Sequence, residues 1–411
     1  MTISSCLDQA TSNLSVPSDW NVRRVGTFAT KVGSGATPRG GKSVYVNTRV
    51  SHALIRSQHV FDRRFEIAGL AFIAKEHSNE LRNAEVRSGD ILLNITGDGI
   101  TFARACIVPN EILPACVNQH VSIIRVDQKA CVPGYLLAFL THPLTKRYIE
   151  SFNTGGSRRA ITKGHIESFE VPLPPLPIQR RIAGILSAYD ELIENNQRRI
   201  KILEEMARSL YREWFVLFRF PGHDKVKMVP SPLGPIPQGW EVKNVKEVLA
   251  RRTAGQVYRE EDVVQEGTVP VIDQSTNELL GFHDNEPDQL ATPANPIAIF
   301  GDHTCKMQLL IEPFSIGPNV VAFEANVDRP ISYLFYIVRS LVQTQEYKRH
   351  WSQLTAKEIV LADKSTSEHF GTSIQPSLQQ VETLRKASRV LRRTRDLLLP
   401  RLLSGPLERI P

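Results

Sequence analysis

Residues 171–214 read VPLPPLPIQRRIAGILSAYDELIENNQRRIKILEEMARSLYREW, and this stretch decides the fold that the sequence predicts. Prolines at 172, 174, 175 and 177 prevent a helix before residue 178, because proline lacks a backbone N–H. Apolar side chains then recur at alternating spacings of four and three, which is the heptad seam of a coiled coil. The seam residues in this stretch are Ile182, Leu186, Tyr189, Ile193, Ile200, Leu203 and Leu210. We therefore expect a first long helix over 178–220, before Pro221-Gly222.

A second, weaker copy of the seam lies near the end of the sequence. It comprises Leu384, Leu391 and Leu398, and it predicts a second long helix and a tail over 377–411. Pro400 is expected to kink or end this helix. Because a single long amphipathic helix is not stable alone, we expect the two seams to pair as an antiparallel coiled coil.

The two halves of the sequence also repeat one another. Trp20–Val25 (WNVRRV) is echoed by Trp240–Val245 (WEVKNV), and in each half an apolar, strand-like run precedes a Gly-Asp turn, at 97–98 and 301–302. A second apolar run follows in each half and begins near Asn118 and Asn319. The sequence thus predicts an α+β fold with a pseudo-twofold repeat. Two similar globular domains with mixed β-sheets, 1–177 and 221–376, are expected to be separated by the two antiparallel helices.

The composition narrows the class of protein. A length of 411 residues suggests more than one domain, and a net charge of +7 favours polyanionic partners such as nucleic acid. The cysteines are scattered and the histidines have no metal-ligand spacing, so a disulfide framework or zinc site is not expected. No apolar run reaches the roughly 18 residues of a membrane span, and residues 1–19 do not resemble a signal peptide. We expect a cytoplasmic protein.

Several sequence motifs of this chain resemble those of the specificity subunits of type I restriction-modification systems. They are Trp20–Gly26, Ser88–Leu92 (SGDIL), Val171–Ala183 (VPLPPLPIQRRIA) and Asp396–Gly405 (DLLLPRLLSG). The second half departs from this pattern: residues 374–379 (IQPSLQ) take the place of the proline-rich motif that precedes the first long helix.

The resemblance implies two target-recognition domains, each of which reads half of a bipartite site on double-stranded DNA. It implies two methyltransferase subunits and restriction subunits as partners, docked on the long helices. It also implies that this chain is not an enzyme and holds no cofactor, because S-adenosylmethionine, ATP and Mg belong to the partner subunits.

Arginine, lysine and amide side chains on loops and strands are the groups that contact phosphates and bases. On this basis the predicted DNA-binding residues are Lys42, Arg63, Arg64, Arg82, Arg87, Gly155, Gly156, Ser157, Arg158, Arg159, Lys163, Lys348, Arg349 and Gln353. In residues 155–159 two glycines permit close backbone approach to a phosphate and two arginines can reach it. A helix C-cap turn is the alternative for this loop, and a solvated basic surface is the alternative for the other residues.

Two other functions stay open from the sequence. A stand-alone nuclease or methyltransferase would need a metal or cofactor constellation, and none is evident. The glycine-rich residues 33–42 fail the spacing of a phosphate loop, which leaves a flexible loop close to DNA as the preferred interpretation. The other function is a coiled-coil scaffold that binds no DNA and carries two interaction domains.

Overall fold

The computed structural model describes residue 17 and residues 20–97, 101–152, 159–275, 279–339, 341–342 and 350–404. The chain forms two compact units. Unit 1 comprises Met1–Glu194 and Arg389–Pro411, and unit 2 comprises Asn195–Ser388. The division falls inside both long helices, whereas the predicted domain boundaries lie at the helix ends.

Unit 1 combines short strands with helices. The strands are β1 (Asn21–Arg24), β2 (Ala29–Ser34), β3 (His52–Ile55), β4 (Val60–Phe61), β5 (Arg64–Phe65), β6 (Ala71–Ile73), β7 (Glu85–Val86), β8 (Ile91–Asn94), β9 (Thr96–Gly97), β10 (Ala105–Ile107), β11 (Ala115–Val117), β12 (Val121–Val126), β13 (Arg159–Ala160) and β14 (Glu170–Leu173). The helices are α1 (Lys75–Glu80), α2 (Pro133–Leu140), α3 (Pro143–Ser151), α4 (Lys163–Ser168) and the first part of α5 (Leu176–Tyr211).

A four-stranded antiparallel sheet lies at the centre of unit 1, in the order β10-β8-β12-β2. Strand β8 explains why this sheet is buried on both faces. Ile91 and Leu93 pack with helix α2, while Leu92 between them packs with a second sheet, β6-β3-β11-β7. Alternate residues of a strand point to opposite faces, so an unbroken apolar run suits this position. In the second sheet β3 and β11 run parallel, which makes it a mixed sheet.

Unit 2 is built from the same kinds of element. Its strands are β15 (Met228–Val229), β16 (Ile236–Pro237), β17 (Glu241–Asn244), β18 (Leu249–Arg251), β19 (Val269–Ile272), β20 (Gly281–His283), β21 (Ile297–Gly301), β22 (Met307–Leu310), β23 (Ser315–Ile316), β24 (Val320–Ala325) and β25 (Glu358–Leu361). Its helices are the end of α5, α6 (Val245–Val248), α7 (Ile331–Val338), α8 (Trp351–Thr355) and the first part of α9 (Lys364–Ser404).

The central sheet of unit 2 is antiparallel, in the order β18-β24-β21-β22. A smaller sheet, β20-β19-β23, contains one parallel pair. Along β21, Phe300 packs with helix α7 while Ile299 faces the core beside the smaller sheet. Helices with mixed sheets are thus present in both units, as the α+β class predicts. The pseudo-twofold repeat stays a prediction.

In two of the sequence motifs, a polar side chain is buried and makes hydrogen bonds inside unit 1. In Ser88–Leu92, Asp90 is fully buried and pairs with the Arg125 guanidinium through two contacts of 2.6 and 2.7 Å. In Val171–Ala183, the buried Gln179 side chain accepts a hydrogen bond from the Val132 backbone N–H and donates two to backbone carbonyls. These side chains fasten the sheet and the start of α5, because buried polar groups are stable only when paired.

Helix α5 agrees closely with the predicted first helix. It spans Leu176–Tyr211 and continues as a π-helical turn, Arg212–Val216. Ile182, Leu186 and Ile193 of the predicted seam are buried. The remaining seam residues are half-buried, and they are Tyr189, Ile200, Leu203 and Leu210.

Helix α9 differs from the predicted second helix at both ends. It begins at Lys364, well before residue 377, and it continues past Pro400 to Ser404. The predicted start at 377 is therefore wrong. Of the two alternatives for Pro400, an end of the helix is wrong, and a kink stays a prediction. Phe370 and Ile374 are buried in unit 2 and hold the early turns, while Leu402 is fully buried in unit 1 and holds the last turn.

The predicted seam of α9 is only partly buried. Leu384 is buried, but Leu391 and Leu398 are half-buried. Within unit 2 the segments of α5 and α9 run antiparallel, since Glu204 pairs with Arg385 at 2.9 Å whereas the later Tyr211 contacts the earlier Phe370. None of the described helices is long and apolar enough to cross a membrane.

Asp363 caps the start of α9, and its replacement with alanine is expected to cost about 1 kcal/mol of stability. Its carboxylate accepts hydrogen bonds from the Thr366 N–H (2.9 Å), the Thr366 hydroxyl (2.7 Å) and the Trp240 indole N–H (3.1 Å). Burial alone would raise the pKa of Asp363, but these hydrogen bonds hold it below its usual 3.8. The stabilisation is therefore complete above pH 3.8 and is lost as the pH falls through the lowered pKa.

Urea unfolding of Asp363→Ala beside Ser365→Ala, an exposed residue in the same turn, measures this contribution. Asp363→Asn keeps an acceptor but does not titrate, so its stability should lose the acid-dependent part. Equal effects of the two alanine variants would contradict the cap.

Candidate nucleic-acid interface

Three segments of unit 1 meet at one end of the central sheet. Strand β9, which follows β8, pairs with β13 so that Gly97 lies opposite Arg159. The backbone N–H of Ile95 donates to the carbonyl of His120, in the turn between β11 and β12, at 3.0 Å. In the sequence these are three separate features: Gly97 of a Gly-Asp pair, the start of the second apolar run, and Arg159 at the end of a basic segment. The fold brings them together, and we call this place the first edge.

Four polar side chains at the first edge form a chain of hydrogen bonds. The Thr37 hydroxyl donates to the Gln119 Oε1 at 2.5 Å, and the Gln119 Nε2 lies 3.2 Å from the His120 Nε2. The His120 Nδ1 lies 2.6 Å from the Thr96 hydroxyl. Gln119 and Thr37 are exposed, and the other two side chains are half-buried. We call these four residues the first polar cluster.

Gly35 explains how Thr37 reaches this cluster. Its N–H donates to the Asn118 carbonyl at 3.1 Å, and a Cβ atom at position 35 would lie only 1.7 Å from the Val117 carbonyl oxygen. Only glycine permits this close approach. The glycine-rich loop is therefore attached to the sheet beside Gln119.

Corresponding segments meet in unit 2, at what we call the second edge. The Asp302 N–H donates to the Asn319 carbonyl at 2.8 Å, and the Asp302 carbonyl accepts from the His350 N–H at 2.9 Å. The Asp302 carboxylate also accepts from the Trp351 N–H at 2.8 Å. The predicted residue Gln353 is exposed here, and its Oε1 lies 3.1 Å from the His350 Nδ1.

Apart from Gln353 and Arg63, the predicted DNA-binding residues fall into three groups. The loop residues Gly155, Gly156, Ser157, Arg158, Lys348 and Arg349 lie outside the described residues, although Arg159 and His350, where the described chain resumes, are at the two edges. Arg159 is half-buried and pairs with Glu150 at 2.9 Å, while Lys163, the exposed first residue of α4, pairs with Glu167 at 3.5 Å. The remaining exposed residues are Lys42, Arg64, Arg82 and Arg87.

Arg63 does not fit the prediction. Its side chain is only 6% exposed, and its guanidinium contacts the Asp190 carboxylate at 2.7 Å. Asp190 also pairs with Arg395 at 2.7 Å. Arg63 therefore belongs to a buried ion cluster of unit 1 and does not present its guanidinium to DNA.

Arg104 is a basic residue that the prediction missed. Its guanidinium lies 4.5 Å from the centre of the Phe61 ring, and that of Arg64 lies 4.4 Å from the same centre. Stacking on one aromatic ring fixes both guanidinium groups. The Arg104 carbonyl accepts from the Asn94 N–H at 2.9 Å, which places Arg104 next to the end of β8 and near the first edge.

Two buried histidines and two buried cysteines of unit 1 are neutral at neutral pH. Burial lowers the pKa of His59 and of His142 to about 4, so neither imidazole adds positive charge at neutral pH. Burial also raises the pKa of the Cys116 and Cys131 thiols to about 12. Such thiols are poor nucleophiles and poor metal ligands. Across the described residues no cluster of histidine, cysteine, aspartate and glutamate could hold a metal ion.

Comparisons with known proteins agree with this architecture. Residues 17–205 match the sequence model of the family described as type I restriction modification DNA specificity domain. The chain is 21% identical over 416 residues to the type I restriction enzyme MjaIX specificity subunit of Methanocaldococcus jannaschii, covering 95% of this chain and 94% of that protein. It is 27% identical over 238 residues to the MjaVIII specificity subunit of the same organism, covering 57% of this chain and 50% of that protein.

The fold is also similar to that of a solved structure. The crystal structure of a type I restriction-modification system S subunit from M. genitalium aligns with a TM-score of 0.56 at 14% identity, covering 96% of this chain and 99% of that one. The resemblance that was based on four sequence motifs is therefore confirmed. This chain is similar over nearly its whole length to the specificity subunits of type I restriction-modification systems.

Proposed function

We propose that this chain is the DNA-recognition subunit of a type I restriction-modification complex, and that each unit reads one half of a bipartite double-stranded site. The observation that carries the proposal is the presence of an edge in each unit. At both edges a residue of a Gly-Asp pair (Gly97 or Asp302), the start of a central strand and the first described residue after a basic segment (Arg159 or His350) converge. The matching strand orders of the two central sheets support the interpretation of the units as copies of one fold.

We propose further that the chain has no catalytic role of its own and acts in the cytoplasm. Two methyltransferase subunits and the restriction subunits would bring S-adenosylmethionine, ATP and Mg. Exposed apolar side chains on the long helices support a docking role, because large apolar groups in water favour protein contacts. They are Leu192, Val390 and Leu397 in unit 1, and Ile202 and Met206 in unit 2.

The same apolar residues would also suit a scaffold that binds no DNA. A salt series on duplex DNA separates the two functions, because each phosphate contact releases counterions and steepens the dependence of affinity on salt. We expect a steep dependence for the complex of this chain with its methyltransferase subunits. A flat one would favour the scaffold.

Arg64 and Arg104 are expected to contact DNA phosphates beside the first edge. Replacing both with glutamine should reduce the slope of log K against log salt by about two, one for each lost contact. The recognised sequence should not change, because phosphate contacts carry no base information. Lys129→Gln is the control, since Lys129 is exposed and follows the opposite end of β12. An unchanged slope in the double variant would place the stacked arginines away from DNA.

A further inference from the structure

We propose that Gln119 is an adenine-reading residue of unit 1, held in position by the first polar cluster. The proposal rests on the proposed function and adds to it a specific base and a specific side chain. It starts from the exposure of Gln119, since most polar residues at the ends of β8, β11 and β12 are buried or half-buried.

The hydrogen bonds of the cluster fix the orientation of the Gln119 carboxamide. A carboxamide oxygen only accepts and a carboxamide nitrogen only donates. The Thr37 hydroxyl must therefore donate to Oε1, and Nε2 must donate to the His120 Nε2. The imidazole then carries its proton on Nδ1 and donates to the Thr96 hydroxyl. The three hydrogen bonds therefore run in one direction, from the Thr37 hydroxyl through Gln119 and His120 to the Thr96 hydroxyl.

These contacts occupy one of the two lone pairs on Oε1 and one of the two N–H groups on Nε2. The oxygen has a second lone pair and the nitrogen has a second N–H, and neither has a partner among the described residues. Because Gln119 is exposed, both remaining groups can be reached from solvent. Gln119 therefore presents one acceptor and one donor, with the amide already fixed by its neighbours.

One acceptor beside one donor is complementary to adenine. In the major groove adenine offers the N6 amino group as a donor and N7 as an acceptor, so glutamine can bind it with two hydrogen bonds. Guanine offers two acceptors at this edge, and its O6 would face the lone pair of Oε1. Rotating the amide would only exchange its two groups and would still set Oε1 against an acceptor, so no orientation of Gln119 gives two hydrogen bonds to guanine.

The test is the DNA sequence selected by the complex of this chain with its methyltransferase subunits, from a library of random duplexes. Gln119→Met keeps the size of the side chain and removes both hydrogen-bonding groups. We expect it to reduce the preference for adenine by about 5- to 150-fold at one position of one half-site. The other half-site should be unchanged, and so should the urea midpoint, because Gln119 is exposed.

Two further variants make the result specific. Gln119→Glu replaces the donor with a second acceptor, so the preference at that position should shift from adenine to cytosine, whose N4 amino group donates. Gln128→Met is the matched control, because Gln128 is an exposed glutamine just after the other end of β12. It should leave the selected sequence unchanged.

Three outcomes would overturn the proposal: adenine kept at every position in Gln119→Met, relaxation of both half-sites together, or the same change in Gln128→Met. A wild-type complex that selects no sequence would instead contradict the proposed function. The two failures are therefore distinguishable.

Discussion

Replacing Asp190 with alanine is expected to destabilise unit 1 by about 3–5 kcal/mol, because it removes the shared partner of two buried arginines. The Arg63 Nε and Nη2 contact one carboxylate oxygen of Asp190 at 2.8 and 2.7 Å, and the Arg395 Nη1 contacts the other at 2.7 Å. The side chains of Arg63 and Arg395 are only 6% and 16% exposed. Without Asp190, the buried Arg63 would lose its carboxylate partner, and Arg395 would keep only Asp396, which lies 2.8 Å from its guanidinium.

Hydrogen exchange and urea unfolding measure this effect. Amides of unit 1 should lose protection in Asp190→Ala, and the unfolding midpoint should fall. The control is Glu191→Ala, an exposed carboxylate one residue further along α5, which should change stability by no more than about 0.5 kcal/mol. If the two variants behaved alike, the ion cluster would have no role in holding the β4–β5 hairpin and the end of α9 to α5.

Replacing Phe215 with alanine is expected to cost unit 2 about 3–5 kcal/mol, the usual penalty for removing a buried aromatic ring. Phe215 lies in the π-helical turn after α5 and is 7% exposed. Its ring centre lies 4.5 Å from that of Tyr333, 5.2 Å from that of Phe370 and 5.7 Å from that of Trp240. The ring thus joins α5, α7, α9 and the start of β17.

Tryptophan fluorescence is a direct measure of this loss, because Trp214, Trp240 and Trp351 all belong to unit 2 and only Trp20 belongs to unit 1. The urea transition of Phe215→Ala should move to lower concentration. Val216→Ala is the control, since Val216 is the neighbouring residue and is 54% exposed. A transition that moved equally in both variants would mean that the aromatic cluster does not determine the stability of unit 2.

The apolar periodicity of the sequence predicts much of the fold correctly. The seam of α5 and the buried runs of β8 and β21 follow directly from spacing, because burial on one stripe or on both faces leaves a pattern in the chain. The ends of α9 do not follow from spacing. Pro376 and Pro400 favour a short helix locally, but packing of Phe370, Ile374 and Leu402 outweighs that preference.

The candidate site was predicted less completely than the fold. A basic residue looks the same in sequence whether it is exposed or paired, so Arg63 could not be separated from Arg64 without knowing where Asp190 lies. Gln119 and His120 directly follow Asn118, where the second apolar run of the first half begins, but most of the predicted DNA-binding residues are basic. Their signal was a polar pair directly before a buried strand, at the end of a sheet.

The division of both long helices between the units has a consequence for biosynthesis. Unit 1 takes its last buried residues, Leu399, Leu402 and Leu403, from the end of the described chain, and they join a core that already contains Ile182 and Leu186. During translation the ribosome therefore releases the apolar stripe of α5 long before the segment that covers it. Unit 2 is synthesised entirely in between, so it can complete its own core first. In the nascent chain, the stripe around Ile182 is the surface on which a chaperone would be expected to act.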